Sequence, residues 1–284
     1  MFEFNFGGIL MSIFYKLKLN WHFINNCNMH CKFCYASKDS CSINLFKISE
    51  KLKPFNYINL VGGEPTIYKN YIPLLHYLKS QGHILSIVSN GSMFLKDNSI
   101  LKTTLKCCDV IGLSIDSLDK ETCIKIGRSV KNSKPITKEE YLYLTYKIKE
   151  SGKALKINTV VNRYNYKENL NSFIEKALPN KWKIFQVLPI ENLNSCKELL
   201  ISNEEFNYFL NTHAENERIM YSENNDNMTS SYIMLDAKGR FFNNIDNKYI
   251  YSKSLLEDDA DLYEEFFKMN YSIDKYYNRY KKAN

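Results

Sequence analysis

With 284 residues, 44% of them apolar, the chain can bury one large α/β core, and its 10 glycines and 6 prolines leave no room for a linker, a repeat array or a low-complexity tract. A formal charge of +7, spread without a run of five or more cations, excludes a basic nucleic-acid tail and suits a solvated surface or a pocket for a small polyanion. Eight cysteines follow no disulfide rhythm, and a chain this long needs no covalent staples, so reduced thiols in a cytoplasmic setting are expected.

The N-terminus, MFEFNFGGILMSIF, has an apolar patch but no basic leader and no small-residue cleavage site, and it falls short of the ~18 residues of a membrane span. Residues 1–14 read as an extension ahead of a domain covering 15–284. Within that extension Met11 is a second candidate start and residues 1–10 are expected to be dispensable. YKLKLNWHF (15–23) alternates and predicts a first strand that ends just before Cys27. YINLVGGEP (57–65) predicts a strand that breaks at two glycines, and YIPLLHYLKSQG (71–82) has helical apolar spacing with a glycine stop. HILSIVSNGS (83–92) and VIGLSIDSLD (110–119) repeat the strand with a polar end. KEEYLYLTYKIKESGK (138–153) predicts a helix that leads into the strand ALKINTVVNR (154–163). KWKIFQVLPIE (181–191) is the next strand, and SSYIMLDAKGRFF (230–242) the last, with a hairpin-like turn at AKG.

Strands joined mostly through helices predict a parallel sheet, open or curled into a partial barrel. The unusual polar residues fall at the carboxyl ends of the strands: the cysteines, GGEP, SNGS, SIDS and NTVVNR. Barrel-type α/β folds build their sites from the loops on that rim.

Cys27, Cys31 and Cys34 are spaced C-x3-C-x2-C, while Cys41, Cys107, Cys108, Cys123 and Cys196 are most simply packing residues. Thiolates favour zinc or iron–sulfur clusters. A structural zinc site wants four ligands, usually in two pairs, and no second pair follows. His22 or His30 could complete one, although His30 adjoins Cys31 and the two could not easily aim at one ion. A four-iron cubane held by three cysteines leaves one iron open to a small molecule. The two glycines of GGEP permit close backbone approach to a ligand, and Glu64 can accept from an ammonium group; the alternative is a plain strand-ending turn.

The trio, with Phe33 before its last cysteine and GGEP beyond, resembles the radical S-adenosylmethionine (radical SAM) family. That resemblance implies a [4Fe–4S] cluster on Cys27, Cys31 and Cys34. Its open iron chelates S-adenosylmethionine, which is cleaved to methionine and a 5′-deoxyadenosyl radical. It further implies cofactor-binding roles for Phe33, Gly62, Gly63, Glu64, Ser89, Asn90, Ser114 and Arg128, with Arg128 in KIGRS pairing with the cofactor carboxylate. The fold implied is a partial (β/α)6 TIM-type barrel with a C-terminal extension, from about residue 230 to 284, that closes over the substrate.

From about Asn20 to Lys253, NWHFINNCNMHCKFCY, INLVGGEP, SIVSNGS, IGRS, KINTVVNRYN, KWKIFQVLPIE, LLISNEEF and SYIMLD together resemble the viperins and their microbial relatives. Viperins take the 4′-hydrogen from a ribonucleoside triphosphate and expel the 3′-hydroxyl as water. The 3′-deoxy-3′,4′-didehydro product terminates viral RNA chains, and microbial members act in antiphage defence. The resemblance places Asn20, Asn59, Lys156, Asn158, Arg163, Lys181, Lys183 and Tyr232 at the substrate, with Tyr232 also a candidate proton or electron donor. Independently, Lys181 and Lys183 flank Trp182 and share one strand face. The tail cations Lys248, Lys253, Arg279 and Lys281 are further candidates.

The chain departs from the family pattern at Tyr57 (often Lys), Val61 (usually small and polar) and Lys181 (usually Arg), and its tail diverges. It lacks the animal protein's amphipathic N-terminal helix, so no membrane attachment is implied. CTP, UTP and GTP all stay open as substrates. The partners implied are that nucleotide and an electron-donor protein, with no direct nucleic-acid binding, and the chain is expected to be a monomer. A radical enzyme acting on another substrate, such as a peptide, and a zinc-stabilised RNA-binding module are the competing readings.

Overall fold

Ten strands form one sheet in the computed structural model, which describes residues 12–36, 44–131, 134–191, 193–194 and 196–279. β1 (Lys18–Ile24), β2 (Tyr57–Gly62), β3 (Ile84–Ser89), β4 (Val110–Ser114), β5 (Ala154–Val161), β6 (Lys181–Gln186) and β7 (Met220–Glu223) lie side by side in chain order, all parallel. β8 (Met234–Leu235) adds in parallel to the free side of β1. β9 (Arg240–Ile245) and β10 (Lys248–Ser254) continue from it antiparallel. β7 and β10 are the two edges, so the parallel run is a barrel left open, as the sequence predicts.

Helices cover the outer face, among them Tyr71–Ser80, Asn98–Cys107, Lys138–Glu150, Asn171–Ala177 and Asn203–Thr212. Two of them start with full capping boxes, Thr137 with Glu140 and Ser202 with Glu205, which satisfy otherwise orphaned N–H groups. Strand alternation decides what each face holds. The outward residues are apolar and buried: Leu19, Trp21 and Phe23 of β1, Leu155 and Ile157 of β5, Trp182 and Ile184 of β6. Trp182 packs edge-on against Phe209 and His213 of the covering helix. The inward residues of the same strands include Lys18, Asn20 and His22, Lys156 and Asn158, and Lys181 and Lys183. Branched apolar side chains ordinarily fill the interior of such barrels. Here Asn and Lys take those places, and the interior is hollow.

The sequence expectations need correction in three places. Residues 12–16 are helical, and Leu17 N donates to Phe14 O at 3.0 Å, so the first strand starts at Lys18, not Tyr15. Phe14, placed in the N-terminal extension by sequence, is fully buried among the rings of Phe55, Tyr263 and Phe266. β7 and β10 were not predicted at all, because one is only four residues long and the other is a mostly exposed hairpin arm. The turn at AKG does link β8 to β9. Met11, Cys41 and Lys281 lie outside the described residues.

Candidate active site

The cysteine loop leaves the carboxyl end of β1 and is clamped from two sides. From β2, Gly63 N donates to Ile24 O at 2.6 Å and Glu64 N to Asn26 O at 2.9 Å. On the other side, His30 N donates to Gly127 O at 3.2 Å and Lys32 N to Ile126 O at 3.1 Å. Three glycines make this contact possible. A Cβ on Gly62 would stand 2.2 Å from Ile24 O, on Gly63 2.0 Å from Asn26 O, and on Gly127 2.1 Å from His30 O. The close approach that GGEP permits is therefore to the chain's own cysteine loop.

Cys27, Cys31 and Cys34 are free thiols, each partly exposed, while Cys107, Cys108, Cys123 and Cys196 are buried as packing residues. Burial pushes the Cys27 thiol up to about 11 and the Cys31 thiol up to about 12, and both feel Cys34 as a neighbour. Among the described residues no three His, Cys, Asp or Glu side chains converge as ligands of a single ion. In a cubane each cysteine takes a different iron, so its thiols need not converge on one point. The donor set of three accessible thiols on one braced loop suits that group.

The neighbouring loops form one hydrogen-bonded rim. Glu64 is buried, and burial raises its pKa. Its Oε1 accepts from Ser89 Oγ at 2.7 Å and Thr66 N at 3.1 Å, with Thr66 Oγ1 also bonded, and its Oε2 accepts from Asn90 N at 2.7 Å. The sequence reading aims Glu64 at a ligand ammonium; the structure binds both its oxygens to protein donors. Asn90 Nδ2 reaches Asn28 Oδ1 in the cysteine loop at 2.8 Å. Ser114 ends β4 beside Asn158. Arg128 pairs with buried Asp116 through Nε, at 2.5 Å, and Nη2, and lies 5.7 Å over the Phe33 ring. The carboxylate that Arg128 meets is thus Asp116, and Asp116 takes only part of its five N–H donors.

A cavity of about 320 Å³ runs from this rim into the barrel, a size suited to a small ligand. Phe33 and Tyr35 line its rim end, and Lys18, Lys156, Lys181, Lys183 and Arg279 line it; the carboxylate nearest to them, Glu223, pairs with Lys183 from behind the wall. Gly112 of β4 makes room for Lys156, whose Cε would meet an added Cβ at 2.8 Å. Burial, reinforced by the neighbouring cations, lowers Lys18 and Lys181 to about 8 and holds Lys156 well below the usual lysine range. Five cations packed this closely around one buried carboxylate leave an excess of positive charge that favours an anionic ligand.

Asn20, Asn59 and Ser86 form a relay on the same wall: Asn59 Nδ2 donates to Asn20 Oδ1 at 2.9 Å, and Ser86 Oγ to Asn59 Oδ1 at 2.7 Å. Asn158 Oδ1 is buried and has no hydrogen-bond partner among the described residues, an acceptor turned to whatever fills the cavity. The Tyr232 hydroxyl donates to Glu223 Oε2 at 2.5 Å and accepts from Lys183 Nζ at 2.9 Å.

Asn20, Asn59, Lys156, Asn158, Lys181, Lys183 and Tyr232 therefore meet in one cavity, but Arg163 does not join them. Its guanidinium binds Glu205 Oε1 at 2.6 Å and Leu200 O at 3.1 Å on the outside. Lys248 and Lys253 are exposed and paired with Glu191 and Asp259. Sequence reasoning missed Lys18 and Glu223 and left Arg279 unplaced. Lys18 was legible, since it lies two residues before Asn20 on the same strand face. Glu223 and Arg279 arrive from distant segments and carried no local signal.

A model of the radical SAM superfamily matches residues 21–177. The chain is 41% identical over 278 residues to an S-adenosylmethionine-dependent nucleotide dehydratase of Lacinutrix mariniflava, covering 92% of this chain and 57% of that one, so it spans little more than half of that relative. Proteins of the same description from Flammeovirga pacifica (38% identical, 92% of this chain and 93% of the relative) and Psychrobacter lutiphocae (34%, 94% and 96%) match almost end to end. Among solved structures, anSMEcpe with bound AdoMet superposes at a TM-score of 0.65 and 14% identity, over 92% of this chain and 82% of that one. Streptococcus suis SuiB bound to S-adenosylmethionine superposes at 0.64 and 15%, over 93% and 68%; both show the shared fold. The matches along the whole length and the braced cysteine loop agree: the chain belongs to the radical SAM superfamily and, within it, to the S-adenosylmethionine-dependent nucleotide dehydratases.

Proposed function

We propose that the chain takes the 4′-hydrogen from a ribonucleoside triphosphate (CTP, UTP or GTP) and expels the 3′-hydroxyl as water, giving a 3′-deoxy-3′,4′-didehydro nucleotide. The observation that carries this reading is the hollow barrel, whose inner wall sets five cationic side chains below the cysteine rim. A polyphosphate needs several cations at short range, and a peptide substrate would not.

A [4Fe–4S] cluster on Cys27, Cys31 and Cys34, with S-adenosylmethionine, would supply the hydrogen-abstracting 5′-deoxyadenosyl radical. The chain's own residues bind, orient and shield. Gly62, Gly63, Glu64, Ser89 and Asn90 set the shape of the cofactor rim, with Phe33, Ser114 and Arg128 beside it. Lys156, Lys181 and Lys183, joined by Lys18 and Arg279, hold the phosphates. Asn158 Oδ1 accepts from a ribose hydroxyl, and the Asn20–Asn59 relay steadies the sugar and base. Tyr232 and Lys183, already hydrogen-bonded, hold exchangeable protons next to the ligand. The apolar wall, including Val61, Val160, Phe185 and Leu188, limits side reactions of a radical with solvent.

The chain acts as a monomer in this reading, takes electrons from a separate donor protein, and makes chain-terminating nucleotides against phage. No helix among the described residues is long and apolar enough to cross a membrane. The test is anaerobic. The reconstituted protein receives S-adenosylmethionine, reductant and CTP, UTP, GTP or ATP separately, followed by mass spectrometry. One of CTP, UTP or GTP should stimulate 5′-deoxyadenosine release and lose the mass of water. Recovery of every nucleotide unchanged would overturn the reading.

A further inference from the structure

The wall of the cavity contains a carboxylate that the reaction above does not use. Glu223, the last residue of β7, is 2% exposed and stands behind Lys183 and Tyr232, which line the cavity while it does not. Its Oε1 pairs with Lys183 Nζ, and its Oε2 accepts from the Tyr232 hydroxyl. Lys183 Nζ also donates to the Tyr232 oxygen, closing a ring of three groups. The Arg279 guanidinium lies 3.6 Å over the Tyr232 ring, and the Glu223 charge reaches Lys156 and Lys181 as well. Lys183 is therefore engaged by an anion of the protein itself before any ligand arrives. In a desolvated wall such a charge acts strongly on whatever enters next to it.

We propose that Glu223 is a specificity-determining residue, a built-in competitor anion that sets the charge a ligand must bring to win Lys183. A triphosphate brings enough charge to displace the carboxylate's hold. A diphosphate does so poorly, and orthophosphate does not. The inference rests on the nucleotide reading and deepens it, because it names the residue that reads phosphate-chain length. A plain bracing role for Glu223 makes the opposite forecast. Loss of a brace loosens Lys183 and weakens every anion, whereas loss of a competitor tightens them.

The experiment is equilibrium titration of the reconstituted protein, without reductant, using orthophosphate, pyrophosphate, tripolyphosphate, CTP, UTP and GTP. In the wild type, affinity should rise most steeply between pyrophosphate and tripolyphosphate. Glu223→Gln keeps the shape and removes the charge. It should bind pyrophosphate and tripolyphosphate about tenfold tighter, or more, and narrow the gap between them. Glu223→Asp keeps the charge and should stay within about twofold of the wild type. Unchanged or weaker polyphosphate binding by a Glu223→Gln protein of normal thermal stability overturns the proposal. If that variant does not fold, the wild-type series still decides, because equal steps from one to three phosphates overturn it too. If the wild type binds no nucleotide and no polyphosphate, the nucleotide reading itself fails.

Discussion

Replacing Gly127 by Ala tests whether the turn at 126–128 positions the cysteine loop. Gly127 has φ +79°, a left-handed conformation that costs a residue with a Cβ roughly 1–2 kcal/mol. The new Cβ would stand 2.1 Å from His30 O and 3.1 Å from Cys31 Cα, both backbone atoms that cannot rotate away. The two segments must part by roughly 1 Å to restore ordinary contact. Parting strains the bonds from His30 N to Gly127 O and from Lys32 N to Ile126 O, each worth about 0.5–1.5 kcal/mol. The total is about 2–5 kcal/mol, or a fall in Tm of roughly 4–20 °C at about 2–4 °C per kcal/mol for a domain this large. Because the damage falls on the segment holding Cys31, iron and sulfide incorporation should fall together with Tm. The assay is differential scanning fluorimetry beside iron quantitation and the cluster's visible absorbance after anaerobic reconstitution. Wild-type Tm and full iron loading in Gly127→Ala would refute the clamp.

Three further outcomes follow from the same geometry. Substituting Cys27, Cys31 or Cys34 by Ala should abolish both cluster loading and S-adenosylmethionine cleavage, read by iron content and 5′-deoxyadenosine; retained cleavage in any of the three would remove that cysteine from the site. Lys183→Ala should weaken triphosphate binding by tenfold or more while slow, uncoupled cofactor cleavage persists, and unchanged affinity in a titration would exclude Lys183 from the phosphate site. Lys18 and Lys181 are lowered to about 8 in the fold, so between about pH 8 and the ordinary lysine value near 10.4 the unfolded chain binds more protons than the native one. Burial of the two charges, with repulsion from neighbouring cations such as Lys183, thus costs stability in full below pH 8, and ligand-free stability at this site should recover as pH rises through that window. Tripolyphosphate affinity should fall over the same window, and an affinity that is flat from pH 7.5 to 9.5 would contradict the cation cradle.

Much of the architecture was legible because two signals coincide in each parallel strand. Outward apolar residues alternate with inward ones, and each strand ends in a polar, glycine-bearing turn. That placed β1 to β6 and the rim loops, and the flanking of Trp182 put Lys181 and Lys183 on one face, where they are found. The pattern fails where local bonding resets the strand phase. At Asn162–Asn165, side-chain and backbone bonds make a tight turn that sends Arg163 outward to Glu205. It fails also at Tyr15–Leu17, whose alternation matches a strand but which a helical turn claims. The glycines of GGEP read as making room for a ligand; only the folded chain shows that the cysteine loop itself fills the space. Glu223 and Arg279 are brought to the cavity by β7 and by the end of the last helix, contacts of long sequence separation that no local pattern encodes. Tyr276 OH, accepting from Lys18 N at 2.7 Å, is what ties that helix to the first strand.

The central claim, that the hollow barrel holds a ribonucleotide with its 4′-carbon facing the cofactor rim, is tested most directly by isotope tracing. The reconstituted protein turns over a nucleoside triphosphate carrying deuterium at C4′, and the 5′-deoxyadenosine is weighed. One deuterium in the deoxyadenosine, with a nucleotide product lighter by water, is the expected result. Unlabelled deoxyadenosine released beside an intact nucleotide would contradict the account.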